Sequence, residues 1–185
     1  MWQAAKVQLG SPNAGVRKNG ASIVGEMAEK GDAEAVAALT QLLKDQDEEV
    51  RRCAVCAIHK LALPGDMNAA TALAGCVNDL CPEIRACALT FAASRSVKGD
   101  ADILGVAKLA LKDPNAGVRK AACESLGKVA VFGDKETALA LLNVCKNEAE
   151  DPQVRLEATL AGGLIMDKPE KKAYTGPDRP CLPGE

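Results

Sequence analysis

Residues 113–120 read Asp-Pro-Asn-Ala-Gly-Val-Arg-Lys, and seven of these eight residues already occur in the same order at residues 12–18. The two copies are 102 residues apart, which is three times 34. A β-branched residue followed by Arg recurs with steps of 34, 34, 34 and 36 residues, at Val16-Arg17, Val50-Arg51, Ile84-Arg85, Val118-Arg119 and Val154-Arg155. Self-similarity at a fixed step of this size indicates a tandem repeat.

A second marker, the dipeptide Gly-Asp, follows the same period and begins at residues 31, 65, 99 and 133. Gly tolerates the left-handed conformation past a helix end, and Asp caps the helix that follows. Each unit therefore has a helix A after Gly-Asp and a helix B near Val-Arg. We predict units at about 1–31, 32–65, 66–99, 100–133 and 134–167, and a flexible tail at 168–185 that is rich in Pro, Gly and charge.

Apolar residues at helical spacing mark helix A, as in Val36, Leu39 and Leu43. Projection by 34 residues places Trp2 and Leu9 on this stripe, so the chain begins with a trimmed helix A. In helix B the third residue after the Arg is always Gly or Ala, which predicts close approach to a neighbouring helix.

The fifth unit departs from this pattern. Its turn from Asp151 to Arg155 is two residues shorter than the turn from Asp113 to Arg119. Because the step into this unit is 36 residues, we expect the preceding helix to be about one turn longer.

The formal net charge is −2, whereas nucleic acid or an anionic membrane surface would favour a basic excess. No apolar run reaches the ~20 residues that a membrane-spanning helix needs, and the N-terminus lacks the apolar core of a secretory signal. We therefore expect a cytoplasmic protein.

With Asp, Val-Arg, a small residue and an aliphatic residue at fixed places, the chain resembles the HEAT-repeat family, nearest to its short-repeat, phycobilisome-lyase-like members. The resemblance covers residues 1 to about 167. It implies an all-α fold, an α-α superhelix of about five helix pairs with the B helices on the concave side.

The resemblance also implies a ladder of hydrogen bonds between Asp and Arg in neighbouring turns. Its members would be Asp45, Asp79, Asp113, Arg17, Arg51, Arg85, Arg119 and Arg155. Ser11 and Ala149 stand where Asp is due in the outer copies, so we expect the ladder to fray at both ends unless Asp151 substitutes.

The chain has eight cysteines, including a Cys-x-x-Cys at Cys53 and Cys56. A zinc site would call for a second pair or His partners at ligand spacing. Cys53 and Cys87 share one repeat position, which favours packing, with a metal or redox role as the alternative. The single His59 lies on the polar side of its helix and is expected to be solvated. We predict no catalytic residue, no metal and no cofactor.

One row of helix B, at the first, fifth and ninth residues after the Arg, is mostly polar in the first four units. Its basic members are Lys18, Arg52, Lys60, Lys120 and Lys128. In the fifth unit the row becomes Leu156, Leu160 and Leu164, which we call the leucine strip. Such a strip usually contacts something. The tail could cover it, a rotated helix could bury it, or a partner or a further repeat could bind it.

These features predict a non-catalytic scaffold that binds another protein on the concave B-helix surface or the leucine strip. The candidate partner-binding residues are the five basic residues and the three leucines of that row. Acidic neighbours and few aromatic residues disfavour nucleic acid as the partner. The alternatives are a phycobilin lyase-like or other enzyme-associated subunit, and a fragment of a larger HEAT scaffold.

Overall fold

The structure, a computed structural model, describes residues 2–166, and the predicted tail at 168–185 lies outside the described residues. Within this range the chain forms ten α-helices and no strand. The helices are α1 (Gln3–Leu9), α2 (Ala14–Met27), α3 (Ala33–Leu42), α4 (Glu48–Leu61), α5 (Met67–Ala74), α6 (Pro82–Arg95), α7 (Ala101–Ala110), α8 (Ala116–Val129), α9 (Lys135–Lys146) and α10 (Pro152–Met166). Odd-numbered helices are A helices and even-numbered helices are B helices. The prediction of five helix pairs, numbered here as units 1 to 5, is confirmed.

The Asp of each Gly-Asp pair caps the A helix that follows it. Its carboxylate accepts a hydrogen bond from the backbone amide three residues later. The four bonds are Asp32 to Ala35 (3.0 Å), Asp66 to Ala69 (3.0 Å), Asp100 to Ile103 (3.2 Å) and Asp134 to Thr137 (3.0 Å). Each such cap stabilises a helix by about 1 kcal/mol.

The Gly of each pair links one unit to the next. Gly31, Gly65, Gly99 and Gly133 have φ angles of 85°, 82°, 83° and 80°, in the left-handed region. This conformation directs each amide to a carbonyl in the last turn of the following B helix. The acceptors are Leu61 (2.8 Å), Arg95 (2.8 Å), Val129 (2.7 Å) and Ile165 (2.9 Å). The Gly-Asp pair thus joins units and starts helix A, but it does not end helix B, as the sequence had suggested. The B helices end three residues before each Gly, at the C-cap residues Ala28, Ala62, Ser96 and Ala130.

The core consists mainly of aliphatic and Ala side chains in two clusters, one mostly in units 1 to 3 and the other mostly in units 4 and 5, and Leu104 packs against both. Leu39, Ile58, Leu73 and Leu126 are fully buried within it. At the N-terminal end the projected helix A is seven residues long, and Trp2 is buried there. The Trp2 indole Nε1 donates to Asp32 Oδ2 at 2.7 Å, which ties the first helix to the second unit.

The small third position of helix B is buried in every unit, and in unit 1 its close neighbour is helix A of the same unit. A Cβ added at Gly20 in α2 would lie 2.8 Å from the Cβ of Gln8 in α1. Two B helices come closest elsewhere, where Gly25 meets Ala57 and Gly127 meets Ala161. Neighbouring B helices contact each other more extensively than neighbouring A helices do, so the B helices form the more closely packed layer.

The expectation of a shorter turn before the B helix of unit 5 is wrong. The connection before α10, residues 147–151, is five residues long, which is the same length as the connection at 111–115 before α8. The extra length lies in α9, which has 12 residues where α7 has 10. This is about half a turn, not the full turn expected.

No helix within residues 2–166 is long and apolar enough to cross a membrane.

Candidate functional site

Four arginines at the start of B helices each bind a carboxylate in the turn of the next unit, and we call each such pair a rung. Arg17 Nε and Nη2 donate to Asp45 at 2.6 and 2.7 Å, and Arg51 donates to Asp79 at 2.7 and 2.9 Å. Arg85 and Asp113 form the third rung, with both distances 2.8 Å. Bidentate pairs of this kind fix geometry as well as adding energy.

The remaining nitrogen of each guanidinium binds the turn of its own unit. Arg51 Nη1 donates to the carbonyls of Asp45 and Gln46 at 2.9 and 3.2 Å, and the other three arginines repeat this contact. Each Arg therefore connects two successive turns. The Arg51 and Asp79 side chains are only 13% and 7% exposed, so solvent screens this rung little.

The acid of the fourth rung is Glu150, which the sequence interpretation missed. Arg119 Nη2 donates to Glu150 Oε1 at 2.6 Å. Asp151, the expected substitute, caps α10 instead, where it accepts from the amide of Gln153 at 2.8 Å. Glu150 stands five residues before Arg155, whereas Asp113 stands six before Arg119. The longer Glu side chain fits this change in register.

The two ends of the ladder differ from the expectation of fraying at both. In each rung the acid accepts hydrogen bonds from the Arg of the preceding unit. Among the described residues no Arg precedes Ser11, so the missing acid at this position leaves no Arg without a partner. Arg17 pairs with Asp45 in the next unit. At the other end, Arg155 Nε donates to the Cys145 carbonyl at 3.2 Å. Within residues 2–166 the Arg155 guanidinium meets no carboxylate.

The rungs lower the pKa of their acids. The Arg17 guanidinium holds the pKa of Asp45 below its usual value, and Arg85 and Arg119 do the same for Asp113 and Glu150. For Asp79, burial is the largest influence and acts to raise the pKa. Hydrogen bonds from Arg51 and from the Cys81 amide outweigh it, so the net shift is also downward.

These shifts predict a pH dependence of stability. A carboxyl group whose pKa is lower in the folded state stabilises the fold fully above its unfolded pKa, roughly 4, and loses that contribution as pH falls through the folded pKa. We expect the thermal midpoint to fall steeply below about pH 4. Asp113→Asn should be less stable than wild type at pH 7 and lose less on acidification. Thermal melts of both proteins between neutral and acid pH test this, and parallel curves would contradict it.

The basic residues of the B-helix row are exposed but partly neutralised. Lys18 lies 3.5 Å from Glu49, which also pairs with Arg52, and Lys128 lies 2.7 Å from Glu124. Lys60 and Lys120 are exposed as well. The row therefore mixes basic residues with acidic and uncharged ones and forms no uniform basic stripe.

The leucine strip is exposed on α10. Leu156 and Leu160 are each 56% exposed and Leu164 is 71% exposed, so no rotation of the helix buries them. Leu164 lies beside α8, where a Cβ added at Gly127 would be 3.6 Å from Leu164 Cδ1. The strip thus continues the B-helix surface at its C-terminal end. Coverage by the tail lies outside the described residues.

Of the seven described cysteines, three are buried and three are half-buried, and Cys56 is exposed. Burial raises the pKa of Cys76 to about 11 and that of Cys123 to about 12, and it also raises the pKa of Cys53 and Cys87. Such thiols stay protonated and are poor nucleophiles at neutral pH. Among residues 2–166, no group of three or more His, Cys, Asp or Glu side chains is placed to hold a metal ion.

The expectation of a solvated His59 is wrong. Its ring stacks on Phe91 in the next unit, with centroids 3.8 Å apart and planes 11° from parallel. Burial lowers the pKa of His59, and nearby Arg95 and Lys128 lower it further. Its role is packing between α4 and α6, because residues about one period apart meet across the unit boundary.

Stacked helix pairs that contact only their neighbours define an α-solenoid repeat protein. A family model of HEAT repeats matches residues 4–90 and 69–163, and the chain belongs to the HEAT-repeat family. The sequence-based resemblance to this family and its all-α superhelical fold are thereby confirmed.

Solved structures show the same fold at low identity. A designed armadillo repeat protein in complex with the peptide (KR)4 is 19% identical, with a TM-score of 0.62 and coverage of 87% of this chain and 80% of that one. An archaeal HEAT-like repeat protein from Thermococcus onnurineus is 18% identical, with a TM-score of 0.60 and coverage of 87% and 69%.

The complex of CpcE and CpcF of phycocyanin lyase from Nostoc also matches, at 15% identity, a TM-score of 0.61 and coverage of 86% of this chain and 96% of that one. The comparison with curated protein sequences found no match. At these identities the structural likeness establishes the fold alone.

Proposed function

We propose that this protein is a non-catalytic scaffold that binds a partner protein on its B-helix surface, with the leucine strip as the apolar anchor. The single observation that carries the proposal is the exposure of Leu156, Leu160 and Leu164 on one face of α10. The matching positions in α8 are Lys120, Glu124 and Lys128. An apolar patch that replaces a polar row at one end of a regular array is typical of a protein-binding surface.

The remainder of the B-helix row supports a protein partner with mixed charge. Lys18, Arg52 and Lys128 already have acidic neighbours at the surface, so this surface offers charges of both signs. Charges of this kind around an apolar centre give specificity and orientation more than affinity. A nucleic-acid strand would instead require unpaired cations and aromatic rings for stacking.

The non-catalytic part of the proposal is supported by the state of the chemically capable side chains. Cys53 and Cys87 are half-buried, and this burial raises the pKa of both thiols, which disfavours the nucleophilic thiolate. His59 is held by its stack on Phe91. None of these groups lies beside a base or an acid in an arrangement that would activate it, within residues 2–166.

We predict that Leu160→Asp abolishes capture of the partner from source-cell extract while changing stability by less than about 0.5 kcal/mol, because the side chain is exposed. Leu109→Asp is the matched control, since Leu109 is 73% exposed on α7, an A helix. Quantitative mass spectrometry of the captured proteins is the measurement. Equal capture by wild type and Leu160→Asp would remove the leucine strip as the anchor.

A further inference from the structure

A groove at the C-terminal end of the stack lies between α9 and α10, on the face that points away from unit 4. It has a volume of ≈ 440 Å³ and an almost wholly apolar lining. We call it the end groove. Its main lining residues are Leu139, Leu142, Cys145, Thr159, Gly162 and Met166.

The floor of the end groove consists of positions that other units bury completely. The equivalents of Thr159 are Ala21, Val55, Leu89 and Cys123, and each is at most 1% exposed. The equivalents of Gly162 are Val24, Ile58, Ala92 and Leu126, and each is 0% exposed. In units 1 to 4 the next unit covers this face. Unit 5 presents the same face, and no described residue covers it.

The composition of the end groove differs from that of a polar terminal cap. Leu139, Leu142 and Met166 are 58%, 44% and 52% exposed at its rim. The preceding unit has Gly105 and Lys108 at the positions of the two leucines. On the floor, Gly162 replaces Leu126 and leaves a hollow, with nothing within 4 Å of a Cβ added there. Terminal units of soluble arrays usually have a polar outer face.

Arg155 lies at the edge of this apolar face, and its equivalents in the other units each bind a carboxylate. In each of the four rungs the covering unit supplies a carboxylate to the Arg of the unit that it covers. Arg155 occupies the same place in unit 5, and among the described residues it donates only to the Cys145 carbonyl. A segment that covers the end groove in the same register would bring its turn to Arg155.

We propose that the end groove and Arg155 bind a helix–turn–helix segment of another protein, stacked end-on as a further unit. The segment inserts a bulky apolar side chain into the hollow at Gly162 and presents a carboxylate from its turn to Arg155. This inference goes beyond the proposed function, because it uses the end face of the stack and not the B-helix surface.

Two other occupants fit the end groove less well. A second copy stacked head to tail would present Ser11 at the position of the missing acid. The chain's own residues 167–185 number 19, fewer than the 34 of one unit, and include prolines at 169, 177, 180 and 183. Their large apolar side chains are Tyr174 and Leu182.

The test uses a synthetic hairpin with the sequence of residues 100–133, stapled on its solvent-exposed positions, as the probe. In the structure this segment covers unit 3 and presents Asp113 to Arg85. We expect the full-length protein to bind it, and Arg155→Gln to weaken binding by about tenfold or more. Asp113→Asn in the probe should weaken binding similarly, and combining both changes should add little, because each removes the same pair. Fluorescence anisotropy measures all four affinities.

Matched variants separate the end groove from other surfaces. Leu142→Asp should also weaken binding by about tenfold, whereas Leu109→Asp and Leu160→Asp should leave it unchanged. Loss on Leu160→Asp alone would place the probe on the leucine strip and overturn the inference. No measurable binding, or binding insensitive to both Arg155→Gln and Leu142→Asp, would also overturn it.

The same experiment detects the other occupants. If Tyr174→Ser with Leu182→Ser strengthened probe binding by about tenfold, the chain's own C-terminal residues would be the occupant. If the protein alone self-associated, and Leu142→Asp abolished this, a second copy would be the occupant. Either result would overturn the proposal of a foreign helical segment.

Discussion

Replacing Asp79 with alanine is expected to lower the free energy of unfolding by about 3 kcal/mol, because it removes one partner of a largely desolvated, bidentate ion pair. The Arg51 guanidinium would remain in the turn without its carboxylate, and the Cys81 amide would lose the hydrogen bond it donates to Asp79 at 2.9 Å. For a chain of this size the thermal midpoint should fall by roughly 6–12 °C. Chemical denaturation followed by circular dichroism measures both quantities.

Asp79→Asn and Glu148→Ala provide the comparison for this result. Asn keeps an acceptor for Arg51 and removes the charge, so its effect should fall between wild type and Asp79→Ala. Glu148 is exposed in the connection between α9 and α10, and its removal should change stability by less than about 0.5 kcal/mol. A loss below about 1 kcal/mol for Asp79→Ala would mean that the rung behaves as a solvent-screened surface pair.

Replacing Gly25 with alanine is expected to destabilise the fold by about 1–3 kcal/mol, although alanine is the better helix former. The added Cβ would lie 2.7 Å from the Cβ and 3.1 Å from the Cα of Ala57 in the next B helix. Neither atom belongs to a flexible side chain, so α2 and α4 must move apart. Separation of these helices would also disturb the first rung.

Gly105→Ala is the matched substitution and should have the opposite sign. Gly105 lies inside α7, is exposed, and has nothing within 4 Å of an added Cβ. Alanine there should stabilise the protein by about 0.5–1 kcal/mol, because glycine loses more backbone freedom on folding. Comparison of the two denaturation midpoints tests close approach between B helices directly. Stabilisation by both substitutions would contradict that packing.

The period and the helix caps could be predicted from sequence because they depend on local chemistry. Asp32 caps α3 through a contact three residues away, and Val36 and Leu39 reveal the buried side of α3 by spacing alone. The fold follows once five such units are recognised, since each unit has only its neighbours to pack against.

Features that join residues about one period apart were harder to predict. Glu150 was missed because its spacing to Arg155 changes by one residue and its side chain is longer than that of Asp. The hydrogen bond from the Gly31 amide to the Leu61 carbonyl joins two backbone groups, so the pattern of side chains does not reveal it. His59 lies on a helix face that looks polar, but the next unit brings Phe91 onto it.

The candidate site shows the same division. The leucine strip could be read from the sequence because it breaks a polar row at fixed positions. The end groove could not be predicted from the sequence. Thr159 and Gly162 were recognised as its floor only after the structure showed that the equivalent positions in units 1 to 4 are covered by the next unit. Comparison between units of one chain therefore supplies information that a single helix lacks.

If the leucine strip binds another protein, photo-crosslinking from its middle position should capture that protein. Leu160 is replaced by benzoyl-phenylalanine in the full chain, and the protein is irradiated in source cells, with the same replacement at Leu109 as control. We expect crosslinks from position 160 to a foreign protein, and none to that protein from position 109. Crosslinks from position 160 only to the chain's own residues or to a second copy would contradict it.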